Sequence, residues 1–243
     1  MQGEEQARTD VADEAGAIIP AAEELAALGI DAAILGVLQH APGAARLIAY
    51  QPGDSLYQEG AEIGALYVIR RGRIKLLSYL PDGRARIVRL HKRGAIIGLN
   101  GLLGEAHEHA AIAVDQAEVY RIPLNLLTPL KQQDPVAYSQ LLEQWHGYLN
   151  KADTWITEFS TGPIRGRVAR LLLFLIDLDE DSGPRELTLL SCEEMAEVLG
   201  VTPESVSRVL AEFKRSGVLV ALGEGAAERY RCDLTALSQE ARD

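Results

Sequence analysis

Residues 191–217 read SCEEMAEVLGVTPESVSRVLAEFKRSG, and this stretch decides the fold of the C-terminal part of the chain. Ser191 and Glu194 have the spacing of a capping box, which predicts that a first helix begins here. Gly200 predicts the end of that helix, because glycine adopts a left-handed backbone without steric cost. Thr202, followed by a proline, predicts the start of a second helix.

The apolar residues of the two predicted helices have the spacing of a helix-turn-helix rather than of a simple helical hairpin. Ala196 supplies a small residue where the helices cross, and Val206 and Val209 pack back onto it. A DNA-binding helix-turn-helix places its second helix in the major groove. The candidate DNA-binding residues are therefore the outward residues of that helix and its cap, namely Thr202, Glu204, Ser205, Ser207, Arg208, Lys214 and Arg215.

Two short apolar segments follow the second helix. Residues 218–222 and 229–232 are strand-like, and a glycine-containing turn at 223–227 joins them. A further helix is predicted at 165–178. Together these elements predict a winged helix-turn-helix domain over residues 161–243.

The charge of the chain argues against a protein that coats DNA without specificity. The net charge is −11, and residues 161–243 contain ten basic and fifteen acidic residues. We therefore expect DNA affinity to come from locally placed cations. These are three basic residues of the second helix, together with Arg165, Arg167 and Arg170 upstream of it.

Several classes of protein are not expected from the composition. No apolar run approaches the roughly 20 residues needed to span a bilayer, and the N-terminus lacks the pattern of a signal peptide. Two cysteines, Cys192 and Cys232, are too few for a disulfide framework or a zinc site. We expect a cytoplasmic protein with no membrane partner.

The N-terminal two-thirds predicts a tail, a β-rich domain and a long helix. Residues 1–24 are acidic and are expected to form a tail without fixed structure. Residues 25–130 contain strand-like segments at 66–69, 74–77, 86–90 and 117–122, punctuated by glycine and proline. This pattern predicts an antiparallel β-barrel or jelly-roll, whose interior could hold a small ligand. The fold class is therefore α+β.

The long helix is predicted over residues 134–160. Its apolar residues recur in alternating steps of three and four, as in a coiled coil. The stripe could pack on its own domain, but its length favours the seam of a homodimer, since a reader of this type usually needs two half-sites. The predicted dimerisation residues are Tyr138, Leu141, Trp145, Tyr148, Leu149, Ala152, Ile156 and Phe159.

In this order of elements the chain resembles the CRP/FNR family of bacterial transcription regulators. Residues 52–84, PGDSLYQEGAEIGALYVIRRGRIKLLSYLPDGR, resemble the core of the family's sensor barrel, and residues 160–178, STGPIRGRVARLLLFLIDL, resemble the start of its DNA-binding domain. The resemblance implies a barrel like a cyclic nucleotide-binding domain and a homodimer that binds double-stranded DNA. It implies RNA polymerase as a further partner if the protein is an activator, and no enzymatic activity or catalytic residue.

The second helix resembles the FNR branch of that family. Glu204, Ser207 and Arg208 match the branch's Glu and its Ser-Arg pair, whereas Pro203 stands where the CRP branch has an arginine. The resemblance implies a TTGAT half-site in an inverted repeat. Glu204 and Arg208 share one helix face, so Arg208 could bind guanine while Glu204 accepts from cytosine. The alternative is an exposed ion pair between the two.

The resemblance says less about an effector. Leu99 stands where the CRP branch has the ribose-binding Glu, and His109 and Ala110 stand at its phosphate-binding Arg-Ser pair, so cyclic AMP is not expected. The iron–sulfur form needs clustered N-terminal cysteines, which this chain lacks, so that cluster is excluded. Haem stays open, as in the nitric-oxide-responsive DNR group, without a histidine that the spacing selects. The candidate effector-pocket residues are Leu99, Asn100, His107 and His109.

A cupin-like metal-binding protein is the alternative from another class. His107 and His109 at i and i+2 on a strand would point the same way and could share a metal. The cupin motif then requires a Glu where this chain has Ala113 and Val114. A third ligand is thus missing, and no metal site is predicted.

Overall fold

The computed structural model describes residues 22–30, 32–41, 43–179, 183, 185–223 and 229–242. The chain divides into two compact units. The first comprises Met1–Ile74 and Arg93–His146, and the second comprises Lys75–Lys92 and Gly147–Asp243.

Strands predominate in the N-terminal part of the chain, and helices predominate in the C-terminal part. The strands are β1 (Arg46–Tyr50), β2 (Ser55–Tyr57), β3 (Ala65–Arg71), β4 (Ile74–Tyr79), β5 (Ala85–His91), β6 (Ile96–Ile97), β7 (Ala110–Ala113), β8 (Ala117–Pro123), β9 (Glu186–Thr188), β10 (Leu219–Ala221) and β11 (Arg229–Cys232). The helices are α1 (Ala22–Ala27), α2 (Ala32–His40), α3 (Leu130–Gln133), α4 (Pro135–Ser160), α5 (Ile164–Leu178), α6 (Cys192–Leu199), α7 (Pro203–Arg215) and α8 (Leu234–Glu240). Within the described ranges, no helix is long and apolar enough to cross a bilayer.

The first unit is built on an antiparallel sheet with the strand order β1-β8-β3-β6. Its central strands, β3 and β8, pair Leu66 with Ile122 and Val68 with Tyr120, and all four side chains are fully buried. Strands β2 and β7 form a second antiparallel pair. The predicted α+β fold class, with antiparallel sheets before a helix-turn-helix, is confirmed.

Helix α1 is tied to this sheet by an ionic cluster. The Arg70 guanidinium pairs with the carboxylates of Glu24 on α1 and Glu118 on β8. The Tyr120 hydroxyl donates to the second Glu24 oxygen at 2.8 Å. Residues 1–21 of the predicted tail lie outside the described residues, whereas Glu24 has a defined structural role.

Helix α4 has nearly the bounds expected from the sequence, and each of its ends packs in a different unit. In the first unit the Tyr138 hydroxyl donates to the Leu102 carbonyl at 2.8 Å. In the second unit Trp155, Phe159 and Phe174 form an edge-to-face aromatic cluster with ring centroids 4.8–5.5 Å apart. Edge-to-face packing is favourable for aromatic pairs and fixes the angle between α4 and α5.

The C-terminal part of the second unit is a winged helix-turn-helix. Helices α5, α6 and α7 bury apolar side chains against one another, including Leu172, Val198 and Phe213. The wing is a three-stranded antiparallel sheet with the order β10-β11-β9. Only β10 and β11 are predicted from the sequence. Strand β9 is three residues long with one buried side chain, Leu187, so it has too few residues to show a strand periodicity.

The second unit also contains the β4–β5 hairpin. Both strands are predicted from the sequence, where they lie within the segment 25–130 assigned to the sensor barrel. In the structure, β5 contacts α6, and the hairpin belongs to the same compact unit as the helix-turn-helix.

Candidate nucleic-acid interface

Helix α6 begins and ends as its sequence predicts. The Ser191 hydroxyl accepts from the Glu194 backbone N–H at 3.1 Å, and the Glu194 carboxylate accepts from the Ser191 N–H at 3.0 Å. This capping box satisfies two helix-terminal donors. Gly200 ends the helix with φ of +66°, and its N–H donates to the Ala196 carbonyl. The turn between the two helices is therefore fixed by local sequence.

Helix α7 presents one buried face and one exposed face. The Thr202 hydroxyl accepts from the Ser205 N–H, and Pro203 occupies the first turn, where its missing N–H costs nothing. The buried residues are those predicted, namely Val206, Val209, Leu210 and Phe213. Because this stripe faces the core of the unit, the opposite face of α7 is left exposed.

The exposed face carries the three residues that match the FNR branch. The side chains of Glu204, Ser207 and Arg208 are all exposed, and 204 and 208 stand one turn apart. Among the residues that the structure describes, no ion pair joins Glu204 to Arg208. The guanidinium is therefore available as a donor, and the carboxylate is available as an acceptor.

The protonation state of Glu204 suits an acceptor. Its own backbone N–H and the Thr202 hydroxyl donate to the carboxylate, and both interactions lower the pKa of Glu204. A carboxylate that is charged at neutral pH can accept a hydrogen bond from the amino group of cytosine.

The remaining predicted interface residues differ in the contacts that their side chains make within the chain. The Ser205 hydroxyl lies 3.1 Å from the Thr202 hydroxyl and takes part in the helix cap. The Lys214 ammonium lies 4.6 Å from the centre of the Tyr230 ring, so it links α7 to strand β11 of the wing. Arg215, in the last turn of α7, is exposed.

The arginines upstream of the helix-turn-helix hold the domain together instead of forming a free basic patch. The Arg165 guanidinium pairs with Glu212 of α7 and Glu240 of α8, and it lies 4.8 Å from the centre of the Phe213 ring. These contacts raise the pKa of Arg165 and lower that of Glu240. The sequence shows basic residues here, but only the tertiary structure shows what they bind.

The other two arginines bind backbone carbonyls. Arg167 donates to the Leu199 carbonyl at 3.0 Å, at the C-terminus of α6. Arg170 donates to the carbonyls of Glu158, Thr161 and Ala241 at 2.6–2.7 Å. Cations at helix C-termini are favoured by the helix dipole.

The candidate effector-pocket residues are largely packed into the first unit. Leu99 and His107 are buried, and the Asn100 amide donates to the Ala106 carbonyl at 3.4 Å. The His107 ring stacks on Tyr57, with ring centroids 3.4 Å apart and planes 10° apart. Burial lowers the pKa of His107 to about 4, so the ring is neutral at physiological pH.

The two histidines of the alternative metal motif do not lie on a strand. Strand β7 begins at Ala110, so His107 and His109 belong to the preceding loop, and the expectation that they share a strand face is wrong. In the part of the chain that the structure describes, no group of three or more His, Cys, Asp or Glu side chains is placed to hold a metal ion.

The two cysteines lie in different environments. Cys232 on β11 is buried, and burial raises the pKa of its thiol to about 12. Cys192 opens α6 and is half-buried. A buried thiol with a raised pKa is a poor nucleophile, so Cys232 is structural.

The predicted dimerisation residues divide into two groups. Tyr138, Leu141 and Phe159 are buried within the chain's own packing. Trp145, Tyr148 and Ala152 are half-buried, and Ile156 is 57% exposed. The Leu149 side chain lies outside the described residues.

A strand-rich domain followed by a winged helix-turn-helix with an exposed reading face defines a DNA-binding transcription regulator. Two family models match in this order. Residues 47–134 match the cyclic nucleotide-binding domain, and residues 166–239 match the Crp-like helix-turn-helix domain.

Individual relatives agree with the domain matches. The transcriptional regulator LdrP of Thermus thermophilus is 30% identical over 190 residues, which cover 77% of this chain and 93% of the relative. The fumarate and nitrate reduction regulatory protein of Vibrio cholerae is 28% identical over 177 residues, 72% of this chain and 71% of the relative. The chain belongs to the CRP/FNR family of transcriptional regulators.

Solved structures show the same fold. A CRP-family transcriptional regulator from Thermus thermophilus superimposes with a TM-score of 0.66 at 27% identity, over 80% of this chain and 96% of that chain. FixK2 from Bradyrhizobium japonicum superimposes with a TM-score of 0.70 at 24% identity, over the same shares of the two chains.

Proposed function

We propose that this regulator binds DNA as a homodimer and reads a TTGAT inverted repeat with Glu204, Ser207 and Arg208. The observation that carries the proposal is the exposed face of α7, on which Glu204 and Arg208 lie one turn apart without an ion pair between them. A guanidinium that is not already engaged can bind the O6 and N7 atoms of guanine in a bidentate manner.

The neighbouring residues have complementary roles in this proposal. Glu204 accepts from cytosine on the opposite strand, and Ser207 contacts the thymine edge. Arg215 lies one turn after Ala211 on the same exposed side of α7, where it binds phosphate and adds affinity without sequence information. Because its partner is DNA, we also propose a cytoplasmic location.

The dimer in this proposal forms through the middle of α4. Trp145, Tyr148, Ala152 and Ile156 remain partly or largely accessible in the single chain, and successive members are three or four residues apart. Burying such a stripe against a second copy removes apolar area from water. Two readers related by a two-fold axis then match the two halves of an inverted repeat.

We further propose that the sensor segment does not bind cyclic AMP. Leu99 at the position of the ribose-binding Glu is 2% exposed, and His109 and Ala110, the latter fully buried, stand at the positions of the phosphate-binding Arg-Ser pair. A cyclic phosphate would lack a cation at this place. Haem is the second candidate effector, but the stacked His107 ring is a poor ligand for it.

The experiment that tests the reading proposal is DNA binding by fluorescence anisotropy at fixed salt. The full-length protein is titrated against a TTGAT inverted repeat, a repeat with the central guanines replaced, and a scrambled duplex. We expect at least about thirtyfold preference for the first over the replaced repeat, since two bidentate contacts give about 2–6 kcal/mol of discrimination. Equal affinity for all three duplexes would refute the proposed specificity.

A further inference from the structure

The β4–β5 hairpin carries three cations whose head groups contact the helices of the DNA-binding domain. The Lys75 ammonium lies 2.9 Å from a Glu194 carboxylate oxygen on α6. The Arg86 guanidinium donates to the Val198 carbonyl at the other end of α6, at 3.4 Å. Lys92 donates to the Asp177 carbonyl near the end of α5, at 2.9 Å.

The contact at the start of α6 is largely withdrawn from solvent. The side chains of Lys75 and Glu194 are 14% and 17% exposed. Glu194 uses one oxygen for Lys75 and the other for the Ser191 N–H of the capping box. Removing one partner from such a pair leaves the other charge poorly solvated. Lys75 therefore acts on the same residue that fixes the beginning of the first helix.

A second carboxylate on α6 also depends on Lys75. Glu197 is half-buried, and one of its oxygens has no hydrogen-bond partner among the described residues. Burial and the neighbouring Glu193 and Glu194 raise the pKa of Glu197, and the charge of Lys75 opposes that rise. Without Lys75 the acidic face of α6 would have no such counter-charge.

The contact at the end of α6 is a close approach to the turn of the helix-turn-helix. A Cβ atom added to Gly200 would lie 1.6 Å from a terminal nitrogen of Arg86. Arg167 donates to the adjacent Leu199 carbonyl, so two guanidinium groups share the C-terminus of α6. Burial and this neighbour lower the pKa of Arg86. The two guanidinium groups can lie close together because the carbonyls at the C-terminus of α6 and the negative end of its dipole attract both.

We propose that Lys75 and Arg86 are positioning residues for α7, the helix whose exposed face contacts DNA in the proposed function. They hold α6 at both ends, and α6 packs against α7, so they set the orientation of the reading face without touching DNA. In sequence the hairpin lies within the segment that matches the cyclic nucleotide-binding domain. This inference rests on the proposed dimeric reading of an inverted repeat for its DNA readout.

The first test needs no DNA. Hydrogen–deuterium exchange of the full-length protein is compared for K75M, R86Q and two matched controls, K131M and R71Q, which remove the same charges from exposed positions outside the hairpin. We expect peptides from 75–92 and from 192–199 to exchange about tenfold faster in the first two variants, and the controls to behave as the wild type. Unchanged exchange in K75M and R86Q would overturn the inference.

The second test measures tolerance of half-site spacing. One added base pair displaces a half-site by about 3.4 Å and rotates it by about 35°. If α7 is held in one orientation, the protein should discriminate strongly against the added base pair. If α7 can change its orientation, this discrimination should be weaker. We expect the ratio of affinities for the two spacings to fall about three- to tenfold in K75M. A K75M protein that binds both duplexes more weakly with an unchanged ratio would contradict the positioning role.

A double variant tests whether Lys75 acts through Glu194. E194Q keeps the capping box, because glutamine also serves at that position, and removes only the charge. We expect E194Q to show the loosened spacing ratio and K75M/E194Q to show much less than the sum of the two single effects, the remainder being the interaction of Lys75 with Glu197. Additive effects would contradict the inference. If the wild type does not bind the TTGAT repeat, the proposed function fails, while the exchange experiment still decides whether the hairpin holds α6.

Discussion

Replacement of Arg208 by alanine separates DNA reading from folding. Arg208 is exposed in the middle of α7 and has no ion pair to Glu204 in the described structure. Arginine and alanine are both good helix formers, so the free energy of unfolding should change by less than about 0.5 kcal/mol. Any larger effect on DNA affinity then reports an interaction that Arg208 makes with DNA.

The size of that effect follows from the number of guanines read. A bidentate arginine–guanine interaction contributes about 1–3 kcal/mol, and a dimer on an inverted repeat makes two of them. The binding free energy should fall by about 2–6 kcal/mol, which is about thirtyfold in Kd at the lower bound. The wild type should weaken by at least a similar amount when both G·C pairs are replaced, whereas R208A should weaken much less, because only its Glu204–cytosine interaction is then removed.

The matched variant for this measurement is R215A. Its guanidinium is exposed at the end of the same helix, and we expect it to bind phosphate. R215A should weaken binding to all duplexes alike and reduce the salt dependence, by about one unit of slope for each phosphate that the variant no longer binds. Both variants are titrated by anisotropy against the intact and guanine-replaced repeats at several salt concentrations. If R208A discriminates between the repeats as the wild type does, the assignment of Arg208 is refuted.

Three further predictions concern stability, thiol chemistry and the effector. R165M should lower the free energy of unfolding by about 1–3 kcal/mol, because it removes two partly exposed ion pairs and a cation–π interaction. The pKa of Glu240 is lowered in the folded state, so this difference in stability should be present at pH 7 and shrink as the pH falls below about 4. Thermal denaturation scans of both proteins at several pH values measure it. At pH 8 a thiol reagent should label Cys192 and leave Cys232 unlabelled in the native protein, because the pKa of the Cys232 thiol is about 12; labelling of both at equal rates would contradict the structure. Cyclic AMP should change neither the melting temperature nor DNA affinity, and haemin titration should give no Soret shift from His107; a saturable shift that H107A abolishes would reverse that expectation.

The DNA-binding domain is predictable from its sequence because its signals are local. The capping box at Ser191, the left-handed Gly200 and the cap at Thr202 depend on residues within a few positions of each other. The buried stripe of α7 repeats with the helical period over several turns, so the exposed reading face is also predictable. The structure contains each of these caps and the buried stripe at the predicted residues.

The contacts that tie elements together are not predictable in the same way. The partners of Arg165 are 47 and 75 residues away in the chain, so nothing in the local pattern identifies them. The same holds for Lys75, whose partner Glu194 is 119 residues away. The basic residues upstream of the helix-turn-helix are visible in the sequence as charges, but their binding to carboxylates and carbonyls is a property of the fold.

The predicted dimerisation residues of α4 do not all remain accessible to a second copy of the chain. Its three-and-four periodicity is present along α4, yet Tyr138, Leu141 and Phe159 pack within the chain itself. An apolar period identifies the buried face of a helix without saying what covers it. The middle of the stripe, including Ile156, stays a prediction for the interface with a second copy.

We propose that the exposed face of α7 reads a TTGAT inverted repeat. The most direct measurement is a cycle of four anisotropy titrations at near-physiological salt, with the wild type and R208A each binding the intact repeat and the repeat with both guanines replaced. We predict that the affinity of the wild type falls at least about thirtyfold on the replaced repeat and that the affinity of R208A falls much less, by the Glu204–cytosine contribution alone. An equal fall in affinity for both proteins would contradict it.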